Sequence, residues 1–175
     1  MGVQQARQLT RGPVQRVDEL LADVAPSRQA RRYRVAVVAA SVAEAVRAAG
    51  GSAFDRSLSG WDVAVFVDDE DVHPVRILGG QLARLDDLAD VTASAPPDVV
   101  IVSAATHADD GRVGAFVEAV LEAGRVPVMF WDSVPSIDGV ALELSAAARA
   151  FKARALAAAG AVGEAVESVE RFRRA

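Results

Sequence analysis

The residues of this chain that could do chemistry stand directly after its β-branched runs. Ser41 follows Arg34-Val35-Ala36-Val37-Val38-Ala39-Ala40, and Asp68 and Asp69 follow Asp62-Val63-Ala64-Val65-Phe66-Val67. Ser103, Thr106, His107, Asp109 and Asp110 come after Asp98-Val99-Val100-Ile101-Val102, and Asp132 and Ser133 after Val126-Pro127-Val128-Met129-Phe130-Trp131. In an open parallel sheet, ligands collect outside the carboxyl ends of the strands. We therefore expect a ligand-binding set of Ser41, Asp68, Ser103, Thr106, His107, Asp132 and Ser133. Such a rim is polar and acidic. It repels a bare phosphate and suits a magnesium ion, which takes a few carboxylates and keeps its waters. His107 is the better placed of the two histidines for proton transfer, because it lies at that edge and imidazole titrates near neutral pH.

Each group also has a plainer role. Asp68 to Asp71 reads as a solvated turn, Asp109-Asp110 beside Gly111 as a helix cap, and His73 before Pro74 as a surface turn. Ser103 with His107 and Asp109 or Asp132 has the residue types of a nucleophilic triad, yet no Gly-x-Ser-x-Gly elbow surrounds it. Ala39-Ala40-Ser41-Val42-Ala43-Glu44 stands where a dinucleotide fold needs Gly-x-Gly-x-x-Gly, which argues against NAD or FAD. Neither Gly50-Gly51 nor Gly79-Gly80 leads into the Lys-Ser or Lys-Thr of a phosphate loop, and His-x-x-x-His pairs are missing. No residue is assigned as catalytic, metal-ligating or cofactor-binding, and the cofactor is left unknown.

These positions need a scaffold that the hydrophobic pattern describes. Continuous β-branched runs joined by amphipathic stretches indicate parallel strands buried on both faces, since an exposed face would need alternating polar residues. Strands are predicted at 34–40, 62–67, 98–103, 126–131 and, shorter, 140–144. Ser41 should cap a helix that Gly50-Gly51 breaks, with helical structure resuming at Phe54 and Leu58. Between Val75 and Leu78 a short strand or irregular segment is expected, then a helix over 81–88. Further helices are expected over 112–123, ending at Gly124, and after a Ser145 cap through Phe151 and Leu156. The terminal segments carry apolar stripes, Val14, Val17, Leu21 and Val24 at one end and Val162, Val166, Val169 and Phe172 at the other. Both are read as helices.

The implied class is α/β: a three-layer sandwich with a mostly parallel four- or five-stranded sheet, flavodoxin- or Rossmann-like, plus terminal helices. Three regions follow, namely an N-terminal tail, helix and arginine-rich linker at 1–33, the α/β domain at 34–160 and a C-terminal amphipathic helix at 161–175. A length of 175 residues suits one core better than two. Lys152 is the only lysine among 19 basic residues, a bias of GC-rich bacterial coding. The net charge of −5 argues against a nucleic-acid surface, although Arg28, Arg31, Arg32 and Arg34 cluster before the first strand. With no cysteine, no signal-peptide pattern and no long apolar run, a cytoplasmic protein without membrane contact is expected. Trp61 and Trp131 read as core anchors or pocket walls.

Pro97-Asp98-Val99-Val100, leading through Ser103 to the strand that ends at Trp131, resembles the third- to fourth-strand region of response-regulator receivers. Ser103 takes the place of their phosphorylated aspartate. The stretch from Leu58-Ser59-Gly60-Trp61-Asp62-Val63 to Ser103 is also similar to cobalamin-binding regulatory modules, without their Asp-x-His-x-x-Gly motif. Both resemblances imply a flavodoxin-like regulatory fold that lacks its relatives' functional residues. The resulting expectation is a non-catalytic module that senses a small ligand or docks a protein partner, with homodimerisation through the terminal helices. The alternative is an enzyme acting on a nucleotide or phosphorylated metabolite at the carboxyl edge of the sheet.

Overall fold

A computed structural model describes residues 32–132 and 139–175 of the chain. Its strands are β1 (Arg34–Val38), β2 (Asp62–Phe66), β3 (Gln81–Ala83), β4 (Val99–Ser103), β5 (Val128–Trp131), β6 (Val140–Glu143) and β7 (Val169–Arg174). The helices are α1 (Val42–Leu58), α2 (His73–Ile77), α3 (Leu88–Ser94), α4 (Ala104–Asp109), α5 (Gly111–Ala123) and α6 (Ala146–Ala158). The seven strands form one sheet in the order β3-β2-β1-β4-β5-β7-β6. β3, β2, β1, β4 and β5 are parallel, with Val37 facing both Val65 and Ile101, and Ile101 facing Met129. β7 runs antiparallel to both of its neighbours.

Side chains along a strand alternate between faces, so an uninterrupted apolar run feeds two cores at once. Val35 and Val37 join Val63, Val65, Ile101 and Met129 beneath α1 and α6, with Ala45, Val46, Ala49, Ala155 and Leu156 packed onto them. Ala36 and Val38 join Phe66, Val100, Val102 and Phe130 on the other face, where α5 contributes Val113, Phe116, Val117 and Val120. The three layers follow from this pattern. The strand order 3-2-1-4-5 is that of the Rossmann type, with its reversal point between β1 and β4; the flavodoxin order would be 2-1-3-4-5.

The sheet has seven strands where four or five were expected, and two segments account for the difference. Residues 81–88 are not one helix but β3, a 3-10 turn at Leu85–Asp87 and the start of α3, because the Leu82, Leu85 and Leu88 spacing spans three elements. The C-terminal stripe is not a helix either. β7 pairs with β5 through Met129 and Phe130 and with β6 from Val169 to Phe172, so 161–175 belongs to the α/β domain. Dimerisation through paired terminal helices thus loses its C-terminal member, and the N-terminal stripe lies outside the described residues. The segment read as a strand or irregular around Val75 forms α2. Gly50 and Gly51 do not break α1, which runs through to Leu58. They are small for a packing reason: a Cβ on Gly51 would fall inside the van der Waals shell of the Leu144 side chain.

At that point α1 meets a buried ion pair. Glu170 of β7 accepts from the backbone N–H groups of Gly51 (2.8 Å) and Ser52 (2.9 Å) and from Lys152 Nζ of α6 (2.6 Å). The Lys152 and Glu170 side chains are only 7% and 2% exposed, so each depends on its partner. Glu170→Ala should lower stability by about 3–5 kcal/mol in urea unfolding, because it strands the Lys152 ammonium in the core. A Lys152→Met/Glu170→Leu double variant should recover only part of that loss, since the Gly51 and Ser52 donors stay unanswered.

Candidate functional site

The β1/β4 reversal point opens into a cleft of about 570 Å³ at the carboxyl edge of the sheet. Its walls are α1, the end of β4, the end of β5, α6 and the segment leading into β7. Ser41 caps α1, its Oγ accepting from the Glu44 N–H (3.2 Å), which turns the Glu44 side chain toward the cleft in the first helical turn. The Glu44 carboxylate is then held from two sides. Oε2 accepts from the Ala40 N–H (3.0 Å) and Oε1 from the indole N–H of Trp131 (3.2 Å). Trp131, 8% exposed, packs into the core beneath α1 and also forms part of the cleft wall, the pocket-wall role expected for it.

Of the seven residues expected to bind a ligand, the cleft brings together Ser103 and Asp132. Ser103 is buried and caps α4, its Oγ accepting from the Thr106 N–H (3.3 Å). Asp132 at the rim accepts from Arg173 Nε (3.0 Å). Ser41 supports Glu44 from behind. Thr106 is buried, and its hydroxyl has no partner among the described residues. His107 is turned to the other core, its ring edge-on to Phe130 with centroids 5.3 Å apart. Ser133 lies outside the described residues.

Asp68 belongs to a separate assembly. The Arg112 guanidinium at the start of α5 donates to Asp68 (2.8 Å), Asp86 (2.7 Å) and Asp110 (2.6 Å), which follow β2, β3 and α4. Asp110 also caps α5, accepting from the Arg112 N–H (2.9 Å), as its place before Gly111 suggested. Asp69 turns elsewhere and accepts from the Val42 N–H (2.6 Å). The carboxylates that looked ready for magnesium are thus engaged by a guanidinium and a helix amide. Among the described residues no group of three or more His, Asp or Glu side chains is arranged to hold a metal ion.

Sequence reasoning missed Glu44, Arg47, Lys152, Glu164 and Glu170, all of which line the cleft. Only Glu44 had a local signal, three residues after the cap Ser41 in the spacing of a capping box. The cations here are already paired: Arg47 with Glu164, Lys152 with Glu170 and Arg171 with Glu167. A phosphate would have to displace a carboxylate from one of them. Hydrogen bonding to Glu164 raises the pKa of Arg47, and the same bond lowers that of Glu164.

Fold and cleft together define a Rossmann-type α/β chain with a carboxylate-bearing site at the sheet reversal. No protein-family model matches the sequence, and no curated protein matches it. Solved structures do resemble it. A deacetylase of the teicoplanin biosynthesis pathway, in complex with teicoplanin, is 11% identical with a TM-score of 0.56, over 81% of this chain and 99% of that one. The N,N'-diacetylchitobiose deacetylase of Pyrococcus horikoshii is 16% identical with a TM-score of 0.51, over 83% and 84%. A conserved protein of Thermus thermophilus is 14% identical with a TM-score of 0.53, over 79% and 93%.

At these identities the likeness is one of fold. It corrects the expectation of a non-catalytic sensing or docking module, because several of the structures that share this architecture are named as deacetylases, which are enzymes. The teicoplanin enzyme is also described in a zinc-inhibited form. The described residues here do not fit such an ion, for the reason given by Arg112 and Val42, so no chemistry is assigned to a metal. Among the described residues no helix is long and apolar enough to cross a membrane.

The Arg112 assembly makes a pH prediction. Hydrogen bonding from Arg112 holds the Asp110 carboxyl at about 2, below its ordinary 3.8. A depressed pKa stabilises the fold fully above the ordinary value, and the contribution fades as pH falls through about 2. An NMR carboxyl titration should find the Asp110 midpoint there, and Arg112→Ala should move it back toward 3.8.

Proposed function

We propose that the chain is a hydrolase that removes an acyl group from the amine of a polar small molecule bound in the cleft. One observation carries this reading: the Glu44 carboxylate is fixed in the cleft by the Ala40 N–H and the Trp131 indole, at the reversal point of the sheet. The fold likeness to enzymes named as deacetylases supports the reaction class, and diacetylchitobiose is by its name an acetylated amine. Glu44 acts as general base. Water attacks the amide carbonyl carbon while its proton passes to Glu44; the carbon–nitrogen bond then breaks, and the amine leaves with that proton. The products are a carboxylic acid and a free amine. The cleft has the size of a small-ligand site, and Trp131 gives it one aromatic wall.

Acetate release and amine appearance should be measured across a panel of N-acetylated amino sugars and N-acyl glycopeptides. Turnover is expected on at least one of them. Glu44→Gln should keep the fold, because the amide oxygen still accepts one bond, and should lower kcat about 10²- to 10⁴-fold. Full activity in Glu44→Gln would remove Glu44 from the mechanism, and no turnover on any acylated amine would overturn the assignment.

A further inference from the structure

One wall of the cleft is made by a stretch of chain with few ties to the body. Residues 161–168 leave the end of α6 through Gly160 (φ +87°), turn again at Gly163 (φ +78°) and run over the cleft mouth into β7. A left-handed φ favours glycine, so both turns are available at low cost. Both ends of the stretch are pinned. The Ala161 N–H donates to Leu156 O (2.9 Å), the Leu144 N–H donates to Ser168 O (2.8 Å), and Glu170 follows in its buried pair. In between, Val162 is 81% exposed, while Val166 packs against the core. Two side chains of this middle part bond to its surroundings: Glu167 accepts from Arg171 of the adjoining β7 (3.3 Å), and Glu164 reaches across to α1, accepting from Arg47 Nε (2.6 Å) and from the Arg47 terminal amino group (3.0 Å).

We propose that residues 161–168 form a strap that opens and closes the cleft, with the Arg47–Glu164 ion pair as its latch. The pair is bidentate and therefore fixes orientation, yet its side chains are 51% and 33% exposed, so its net worth is small and salt-sensitive. A weak latch suits a gate. It holds Glu164 across the cleft at rest and yields to an entering ligand without disturbing the Glu170 anchor, as lids in other enzymes move on elements of low local stability. This proposal does not depend on the reaction carried out inside, because its readout is access alone.

Trp131 reports that access. In a Trp61→Phe background it is the only tryptophan of the two, and neutral acrylamide reaches it through the cleft. Glu164→Gln should raise its quenching constant by about two- to fivefold, the shift in open population expected from losing an exposed ion pair. Raising NaCl from about 0.02 to about 1 M should do the same in the unlatched-competent Glu164 protein and nothing further in Glu164→Gln. The charge-swapped Arg47→Glu/Glu164→Arg double variant should return quenching to the closed value, with far-UV circular dichroism unchanged throughout. Quenching that is the same with and without Glu164, or a swap that stays as open as Glu164→Gln, would overturn the latch.

Discussion

A single buried carboxylate ties together the three elements on which the cleft depends. Glu170 belongs to β7, yet its acceptors are filled by two amides of α1 and by the ammonium of α6. Burying a charge is tolerable only when its partners come with good geometry, so the strand and both helices must arrive together. The consequences reach in two directions. Toward the sheet, β7 is held between β5 and β6, and the chain's last stretch becomes a strand. Toward the cleft, α1 lies so close to the link between β6 and α6 that Gly51 has no room for a side chain against Leu144.

The carboxyl edge of the sheet is thereby divided into two charged regions with different occupants. On the β3 side, Arg112 gathers the aspartates of three loops onto one guanidinium, and Asp69 is spent on the first amide of α1. On the β5 side, Glu44 is kept in the cleft by two neutral donors. The amide and the indole hold the Glu44 carboxylate in one orientation at the cleft, and a fixed orientation is what the proposed proton abstraction requires. One held by a guanidinium is stabilised as an anion and is correspondingly less ready to accept a proton. The division thus separates carboxylates that brace loops around Arg112 from Glu44, which neutral donors hold at the cleft.

Parts of this were legible locally. The caps at Ser41 and Ser145, the β-branched runs of β1, β2, β4 and β5 and the helix ending at Gly124 depend on neighbours within a few residues, and the structure places them as expected. Leu82, Leu85 and Leu88 misled because three apolar residues at helical spacing also fit a strand, a tight turn and a helix start in succession. Val162, Val166, Val169 and Phe172 misled likewise: Val169 and Phe172 point into pairing with β6, which a periodicity cannot see. Ser103 and Asp132, expected from the rule that ligands collect at strand ends, do line the cleft, whereas His107 obeyed that rule in sequence and turned to the opposite core in space.

The sequence by itself determined that the chain is α/β, that its central strands are buried on both faces and that polar residues follow each of them, because burial and capping are written in residue type and near spacing. Only the tertiary structure decided which of those polar residues share a cleft. Glu44 and Trp131 are 87 positions apart, and Gly51 and Glu170 are 119 apart. Such pairings depend on how the sheet is ordered, and strand order is set by packing over the whole molecule, which no local pattern records.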